Sequence, residues 1–307
     1  MQGSLHGHER IVLLGGGTTI GFEAWGRSAA LALRMYGARH LVAAGAGAAR
    51  ASDHRTLARQ PQNWGRWSRL RGFDLWGVRG PYTRDECVRE GWDAPVIGDP
   101  ALLFPAVRPV VPARASGTVG LALGSEGVSR FSVPTVVEAA RRAAQARSSD
   151  VTLFEFTAAD RPVVAAARRL LGGATRVVTF DGDVDAMMSE IAACSVFISE
   201  RLHGTVAATA LDVPALPLSY GSKCDDFWAS VAGEDPRVTP SSSASAIAAE
   251  IERCTAPAYR SHVHQSVRHA RVALGECADA LVSWLRGERD TSSLTGFRPA
   301  AEVTHVA

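Results

Sequence analysis

The amino-acid sequence predicts an α/β protein with two domains, and three observations lead to this fold class. Short apolar strands alternate with helices over most of the 307 residues, which is typical of parallel sheets covered by helices on both faces. A proline-rich stretch at residues 104–112 interrupts the alternation and favours an extended linker, because proline donates no backbone hydrogen bond. The chain is also long enough for two cores. We therefore expect two Rossmann-like domains with a ligand cleft between them.

The predicted first domain covers residues 1–108. Its strands are expected at residues 10–14, 40–44, 75–79 and 96–97, and its helices at residues 24–36 and 83–90. The first strand ends in three glycines at residues 15–17, which allow a close approach of the backbone. Residues 109–116 form the predicted linker.

The predicted second domain covers residues 117–287, where the alternation resumes. Strands are expected at residues 118–123, 150–156, 176–180, 196–199 and 215–218, and helices at residues 134–147, 162–171, 184–194 and 205–211. Apolar residues then recur at helical spacing over residues 259–286, which predicts a long amphipathic helix. Residues 288–307 are polar and unpatterned, so we expect a disordered tail.

Composition and charge exclude several classes of protein. Hydrophobic residues make up 46% of the chain and charged residues 21%, as in globular rather than disordered proteins. The net charge of +2 is too small to indicate binding to nucleic acid or to a membrane surface. Five scattered cysteines without a C-x-x-C pair argue against disulfides and structural zinc, and they favour the cytoplasm. No signal peptide and no apolar segment of membrane-spanning length is visible in the sequence.

The most specific stretch is residues 199–204, which follow the apolar residues 196–198. Residues just past a parallel strand face the ligand crevice of an α/β domain, and the amides that open the next helix favour an anion. Arg201 offers a planar fork for a carboxylate or a phosphate. His203 titrates near physiological pH and can donate a proton. The stretch therefore predicts an anion site with a proton donor, the alternative being an exposed loop with a chance basic pair.

Two further cations are candidates for this site. Lys223 is the only lysine of the chain, against 32 arginines, so its presence is unusual for this composition. Arg79 ends a predicted strand and precedes a turn into a helix. It either faces the predicted cleft from the first domain or lies on the surface beside a structural turn.

Two glycine-containing loops, at residues 15–21 and 124–127, also follow predicted strands. The backbone of such loops can cradle a phosphate, which makes Gly124 and Ser125 candidates. Neither loop has the G-x-G-x-x-G spacing or the lysine of a nucleotide-binding motif, and glycines there can simply serve backbone packing. The spacing of the histidines and aspartates predicts no metal site.

Several segments resemble, in the same order, the signature of the polysaccharide pyruvyl transferase family. They are the Ser-Glu-Arg-Leu-His-Gly stretch at residues 199–204 with the alanine-rich helix after it, the glycines at residues 15–17, residues 78–83, residues 98–103, the helix at residues 185–194, Val213-Pro214, Tyr220, Lys223 and Phe227. The resemblance covers roughly residues 10–230. It is most specific between Arg201 and Lys223.

The resemblance implies a fold like that of GT-B glycosyltransferases and a transfer of pyruvate from phosphoenolpyruvate to a sugar. Two sugar hydroxyls become bridged as a ketal and phosphate is released, with no metal or nucleotide cofactor. The family's pattern implies that Arg201 and Arg79 neutralise the donor and that His203 is the general acid. Contacts with the substrates are expected from the other candidates, which are Lys223, Glu200, Gly204, Tyr220, Gly124 and Ser125.

The expected partners are phosphoenolpyruvate and a sugar, glycan or glycolipid acceptor, without nucleic acid. A peripheral membrane contact and the oligomeric state stay open. Two alternatives to pyruvyl transfer also stay open. One is a GT-B glycosyltransferase that uses a nucleotide sugar, and the other is a non-catalytic sugar-binding member of the family.

The resemblance has one departure, at the N-terminus. Members of the family have a strand–helix–strand region before the segment that matches residues 11–21, whereas only residues 1–10 precede it here. Either the chain starts late or the first domain is reduced. We therefore expect a shortened first domain in which the acceptor contacts of that region are affected.

Overall fold

The computed structural model describes residues 10–113, 117–124 and 129–303. The chain forms two compact units that interleave along the sequence. Unit 1 contains the chain up to Leu103, residues 221–233 and the chain from Ser266 onward. Unit 2 contains residues 104–220 and 234–265.

Unit 1 is built on a four-stranded parallel sheet. Its strands are β1 (Ile11–Gly15), β2 (Thr18–Ile20), β3 (His40–Ala48) and β4 (Phe73–Val78). β3 pairs with each of the other three strands, and all of its residues after His40 are buried. A strand enclosed in this way is apolar throughout rather than alternating, which is why its sequence consists of small and branched apolar residues.

Helices cover the sheet of unit 1. They are α1 (Glu23–Tyr36), α2 (His54–Arg59), α3 (Trp64–Trp67) and α4 (Pro81–Arg89). α1 ends at Gly37, whose φ of +61° is in the left-handed region that glycine adopts without strain. Ala29, Leu41 and Trp67 form a core cluster between helix and sheet.

Unit 2 is built on a five-stranded parallel sheet. Its strands are β5 (Thr118–Ala122), β6 (Val151–Glu155), β7 (Val177–Thr179), β8 (Cys194–Ser199) and β9 (Ala215–Pro217). Their order in the sheet is β7-β6-β5-β8-β9. The chain thus moves outward from β5 to one edge, returns to the centre and continues to the other edge. This is the doubly wound topology of Rossmann-like domains, and the α/β class predicted from the sequence is confirmed.

Helices connect the strands of unit 2. They are α5 (Phe104–Val107), α6 (Val133–Ala146), α7 (Arg161–Leu171), α8 (Val184–Ala192) and α9 (Leu202–Ala210). Residues 109–113 of the predicted linker form neither helix nor strand, and residues 114–116 lie outside the described residues.

The last helices divide between the units, which differs from the predicted domain bounds. They are α10 (Ser222–Ala232), α11 (Ala244–Thr255) and α12 (Pro257–Leu285). α10 belongs to unit 1, α11 to unit 2, and α12 passes from unit 2 to unit 1 at Ser266. The physical reason for the placement of α10 is burial, because Asp226, Phe227 and Trp228 are enclosed in the core.

The segment after α12 is not the disordered tail expected from the sequence. Residues 291–294 form a turn of 3₁₀ helix, and Leu294 and Val303 are buried. The Trp76 indole donates a hydrogen bond to the Leu294 carbonyl at 3.1 Å, and the Val303 N–H donates to the Val96 carbonyl at 2.8 Å. These contacts fix the segment on unit 1 as far as residue 303.

Candidate functional site

The candidate site lies in unit 2, where the strand order of the sheet reverses. β5 and β8 are neighbours, but the chain leaves β5 toward one edge and leaves β8 toward the other. Loops that diverge in this way leave a crevice outside the carboxyl ends of the two strands, and doubly wound domains bind their ligands there. Gly124 follows β5, and Glu200 and Arg201 follow β8. Three of the predicted site residues are therefore brought together.

Glu200 ties the chain after β5 to the end of β8. Its side chain is fully buried. One carboxylate oxygen accepts the Gly124 N–H at 2.9 Å, and the other accepts the Arg130 N–H at 2.5 Å. The Glu200 carboxylate and the Gly124 amide are thus engaged with each other, and the contacts with substrate expected for both stay predictions. Gly124 has a φ of +103°, a conformation that favours glycine.

Burial also sets the ionisation of Glu200. Loss of hydration raises the pKa of the Glu200 carboxyl above its ordinary value, and the nearby Asp160 carboxylate raises this pKa further. The Gly124 N–H, the Ser129 hydroxyl and the charge of Arg201 act in the opposite direction without cancelling the effect of burial. Glu200 therefore holds its proton more readily than an exposed glutamate.

Arg201 carries the positive charge of this segment. Its Nη2 donates to the Thr157 hydroxyl at 3.1 Å and to the Asp160 carboxylate. The Arg201 side chain keeps 17% of its surface exposed, whereas Asp160 keeps 1%. Within the described residues, the buried Nε–H of Arg201 has no hydrogen-bond acceptor. A buried carboxylate thus orients the guanidinium, and one buried donor remains without an acceptor.

The partner of Arg201 is held by a turn at the end of β6. Thr157 and Asp160 form a capping box around the 3₁₀ turn that precedes α7, a reciprocal pair of side chain-to-backbone hydrogen bonds. The Thr157 N–H donates to Asp160 Oδ2 at 3.1 Å, which leaves Oδ1 for Arg201. The loop after β6 therefore contributes to the same edge of the sheet as the loops after β5 and β8.

Ser199 turns the chain from β8 into α9. Its hydroxyl accepts the Arg201 N–H at 3.1 Å and donates to the Arg201 carbonyl at 2.7 Å. α9 therefore begins at Leu202, three residues earlier than predicted, and His203 and Gly204 lie in its first turn. His203 is exposed.

Gly204 brings α9 close to β8. A Cβ atom at this position would lie 2.4 Å from the Ser199 hydroxyl and 3.0 Å from the Phe197 ring, which is closer than real side-chain contacts. Gly204 is buried and allows the close packing of helix and strand, while its contact with substrate stays a prediction. The close packing holds the first-turn amides of α9 beside the end of β8.

Arg79 has a different environment, inside unit 1. It follows β4 directly and is fully buried. Its Nε donates to Asp226 Oδ2 at 3.1 Å, its Nη2 lies 3.1 Å from the same oxygen, and its Nη1 donates to the Thr18 hydroxyl at 3.2 Å. Asp226 also accepts the Thr83 N–H and the Thr83 hydroxyl, at 3.0 and 2.8 Å. Two opposite charges therefore neutralise each other in the core, as buried charges require.

Two glycines provide the space for this buried pair. A Cβ atom at Gly47 would lie 2.5 Å from the Arg79 guanidinium, and one at Gly80 would lie 2.2 Å from the Asp226 carbonyl. Arg79 thus joins β4 to α10 rather than lying on the surface, and its contact with the donor stays a prediction. The physical reason for its burial is its pairing with Asp226, which lies 147 residues later in the chain.

The remaining predicted residues are distributed over the chain. Lys223 is half-buried in the first turn of α10, in unit 1. Tyr220 is half-buried and ends the segment 104–220 of unit 2. Ser125 lies outside the described residues. The contacts of Lys223, Tyr220 and Ser125 with substrates stay predictions.

A carboxylate of the protein itself lies at the start of α10. Asp53 Oδ2 accepts the Ser222 N–H at 3.0 Å and the Ser222 hydroxyl at 2.8 Å, and Oδ1 accepts the Thr56 N–H at 3.1 Å. Burial alone would raise the pKa of Asp53. The hydrogen bonds from Ser222 and Thr56 favour the ionised form more strongly, so the pKa of Asp53 lies below its ordinary value.

Sequence reasoning missed Asp160 and Arg130. The T-x-x-D spacing of Thr157 and Asp160 is a local signal for the capping turn, but no local pattern pairs Asp160 with Arg201, 41 residues later. Within the described residues, no group of three His, Cys, Asp or Glu side chains could hold a metal ion. None of the described helices combines the length and the apolar character needed to cross a membrane.

Comparison with known proteins identifies a family. A family model for polysaccharide pyruvyl transferase matches residues 4–222, more than half of the chain. A search of curated protein sequences found no match.

Solved structures share the fold at low sequence identity. A protein from Listeria monocytogenes described as a UDP-N-acetylglucosamine 2-epimerase has a TM-score of 0.61 and 16% identity, over 91% of this chain and 76% of that chain. The UDP-GlcNAc 2-epimerase of Methanocaldococcus jannaschii has a TM-score of 0.55 and 12% identity, over 84% and 76%. That of Neisseria meningitidis, bound to UDP-GlcNAc, has a TM-score of 0.55 and 14% identity, over 89% and 76%. This likeness shows an α/β fold of the GT-B type.

Proposed function

The chain belongs to the polysaccharide pyruvyl transferase family, and on this premise we propose that it transfers pyruvate from phosphoenolpyruvate to two hydroxyls of a sugar. The product is a ketal that bridges the two hydroxyl oxygens, and inorganic phosphate is released. The acceptor is a sugar, a glycan or a glycolipid.

One observation carries the proposal, namely the placement of Arg201 and His203 at the start of α9, where the strand order of unit 2 reverses. The first-turn amides of a helix attract carboxylate and phosphate groups. Arg201 adds a guanidinium that the buried Asp160 orients, and arginine binds either anion by paired hydrogen bonds. An anionic donor bound there lies beside the exposed imidazole of His203.

The chemistry requires an acid at this place. The carbon that carries the phosphate becomes electrophilic when the neighbouring methylene carbon is protonated, and His203 supplies this proton. One sugar hydroxyl then adds to the electrophilic carbon and loses its proton. A second hydroxyl forms the other carbon–oxygen bond and loses its proton as the carbon–oxygen bond to phosphate breaks, and the released phosphate keeps the electron pair of that bond. Arg201 stabilises the phosphate as it leaves, in the manner of a preorganised cation.

An acceptor screen tests the proposal. The protein is incubated with phosphoenolpyruvate and with galactose-, glucose- and mannose-terminated acceptors, and phosphate release is measured together with the mass of the acceptor. We expect release that depends on one acceptor class, together with a mass gain of one pyruvate less one water. Release without a mass gain, or no release with any acceptor, would contradict pyruvyl transfer.

His203→Ala tests the proton donor. Loss of a general acid lowers turnover by about 10² to 10⁴-fold, whereas the affinity for phosphoenolpyruvate should change little. His264→Ala is the matched control, because His264 is an exposed histidine of unit 2 that pairs with Asp212 at 2.9 Å. An unchanged rate in His203→Ala would remove His203 from this role. Added UDP-sugars should neither stabilise the protein nor be consumed if the donor is phosphoenolpyruvate.

A further inference from the structure

The proposed donor carries two anionic groups, a carboxylate and a phosphate. Arg201 is the cation nearest to the proposed acid in the sequence, but the buried Asp160 already offsets its charge. Arg79 pairs with Asp226 in the core of unit 1. Neither arginine therefore offers an uncompensated positive charge at the unit 2 site, and a ligand with two anionic groups requires a further cation there.

Arg130 lies at the same edge of the sheet as Arg201. Its backbone N–H donates to Glu200 at 2.5 Å, and Glu200 is the residue immediately before Arg201. The backbone of Arg130 is therefore held beside the carboxyl ends of β5 and β8. Its placement depends on Glu200, which is fully buried and cannot move without losing two backbone hydrogen bonds.

Both arginines carry a donor that lacks an acceptor in the protein. The Nε atoms of Arg130 and Arg201 are buried, and neither has a hydrogen-bond partner within residues 10–113, 117–124 and 129–303. A buried donor without an acceptor destabilises the folded protein, and an unsatisfied group of this kind calls for an explanation. An oxygen-rich anion that reaches both Nε–H groups satisfies both donors.

We propose that Arg130 is the second anion-binding residue of the unit 2 site and that, with Arg201, it holds the carboxylate and the phosphate of the donor. The identity of the ligand as phosphoenolpyruvate rests on the proposed function. The pairing of the two arginines on an anion rests only on their buried Nε–H donors, which lack acceptors, and on their place at the edge of the sheet. The planar guanidinium suits both groups of the ligand, since each presents two oxygens in one plane.

Isothermal titration with phosphoenolpyruvate, and separately with inorganic phosphate, tests the role of Arg130. A hydrogen bond to a charged group contributes about 1.5–3 kcal/mol, so Arg130→Gln should raise the Kd for phosphoenolpyruvate by roughly 10 to 150-fold. Arg130→Lys keeps the charge without the fork and should raise the Kd by a smaller factor. Arg169→Gln removes an exposed arginine of α7 and should leave the Kd within about twofold of the wild type.

The outcomes separate this inference from the proposed function. A wild-type protein that binds phosphoenolpyruvate but transfers no pyruvate contradicts the proposed function, while the Kd of Arg130→Gln still decides the inference. The inference is overturned if Arg130→Gln binds as tightly as the wild type, or if the wild type binds neither phosphoenolpyruvate nor phosphate. Circular dichroism checks the folding of Arg130→Gln, and if that variant unfolds, a wild-type Kd in Arg130→Lys overturns the inference instead.

Discussion

Arg79 in unit 1 and Arg201 in unit 2 are two arginines that follow parallel strands, and each pairs with a buried aspartate. They differ in how completely the protein encloses them. Arg79 exposes 0% of its side chain and its partner Asp226 exposes 1%, whereas Arg201 exposes 17% beside an Asp160 that exposes 1%. The same arrangement of residues therefore occurs once inside a core and once at the surface of a crevice.

The difference teaches that residue type and a position after a strand do not decide whether an arginine is enclosed by the protein or keeps contact with solvent. Arg79 bridges β4 and α10, and its guanidinium contacts Asp226 and the Thr18 hydroxyl. Arg201 has one nitrogen fixed by Asp160 and Thr157 and keeps contact with solvent. A buried ion pair holds a fold together when both partners are present, while a partly exposed one can orient a cation toward a ligand.

Removal of Arg79 is expected to have the largest effect on stability. Arg79→Ala should lower the free energy of unfolding by about 3–5 kcal/mol, because the Asp226 carboxylate would stay buried without its cation. Urea denaturation followed by tryptophan fluorescence measures the loss. Arg201→Ala is the matched variant, and it should cost less stability because water can reach its partly exposed site. We also expect it to weaken the binding of the proposed donor, phosphoenolpyruvate.

A loss of ligand binding without a loss of stability in Arg79→Ala would contradict the difference between the two arginines. If Arg79→Ala unfolded at the wild-type urea concentration but bound phosphoenolpyruvate more weakly, Arg79 would be a ligand-binding residue. Its assignment as a structural link between β4 and α10 would then be wrong.

A substitution at Gly204 tests whether the close packing of α9 on β8 positions the unit 2 site. In Gly204→Ala the added Cβ would lie 2.4 Å from the Ser199 hydroxyl, so either the Ser199 side chain or α9 must shift, and each shift disturbs the turn that Ser199 closes. Overpacking of this kind costs about 1–3 kcal/mol, and the shift should also weaken ligand binding because it moves the first-turn amides and His203.

Gly275→Ala is the control for this substitution. Gly275 also lies within a helix, α12, but no atom lies within 4 Å of an added Cβ. It should gain about 0.5–1 kcal/mol of stability from the higher helix propensity of alanine. Equal effects of the two substitutions in thermal unfolding would show that α9 is not closely packed at Gly204.

The smallest expected effect on stability concerns Asp53, whose carboxylate accepts hydrogen bonds from Ser222 at the start of α10. The pKa of Asp53 is lowered in the folded protein from an ordinary 3.8, so its contribution to stability is present above that value and is lost as the pH falls through the folded pKa. Asp53→Asn should therefore destabilise the protein near pH 7 and show a smaller difference from the wild type at about pH 3.

Urea denaturation at the two pH values measures this change, with Asp279→Asn on the exposed face of α12 as the control. Glu200 has the opposite effect on the pH dependence of stability, because its pKa is raised in the folded protein. Its ionisation therefore opposes folding as the pH rises above the ordinary value for glutamate. A pH-independent loss in Asp53→Asn would contradict the role of the carboxylate charge at α10.

The local sequence was sufficient for the elements that positioned the unit 2 site. The apolar run before Arg201 indicated β8, and the alternation of strands and helices indicated a parallel sheet with its ligand edge at the strand ends. α9 starts at Leu202 rather than at the predicted residue 205, because Ser199 closes the turn with its hydroxyl. Strand and helix patterns do not encode this contact. The roles of Glu200 and Gly204 also depended on neighbours in space.

The sequence by itself determined the α/β class, the place of Arg201 and His203 after a strand, and the family resemblance, because these depend on periodicity and on short motifs. Only the tertiary structure decided that α10 belongs to unit 1, that Arg79 is enclosed with Asp226, and that Asp160 orients Arg201. The physical reason is that burial and ion pairing join residues separated by 147 and 41 positions. Which arginine keeps contact with solvent is therefore a property of the folded chain.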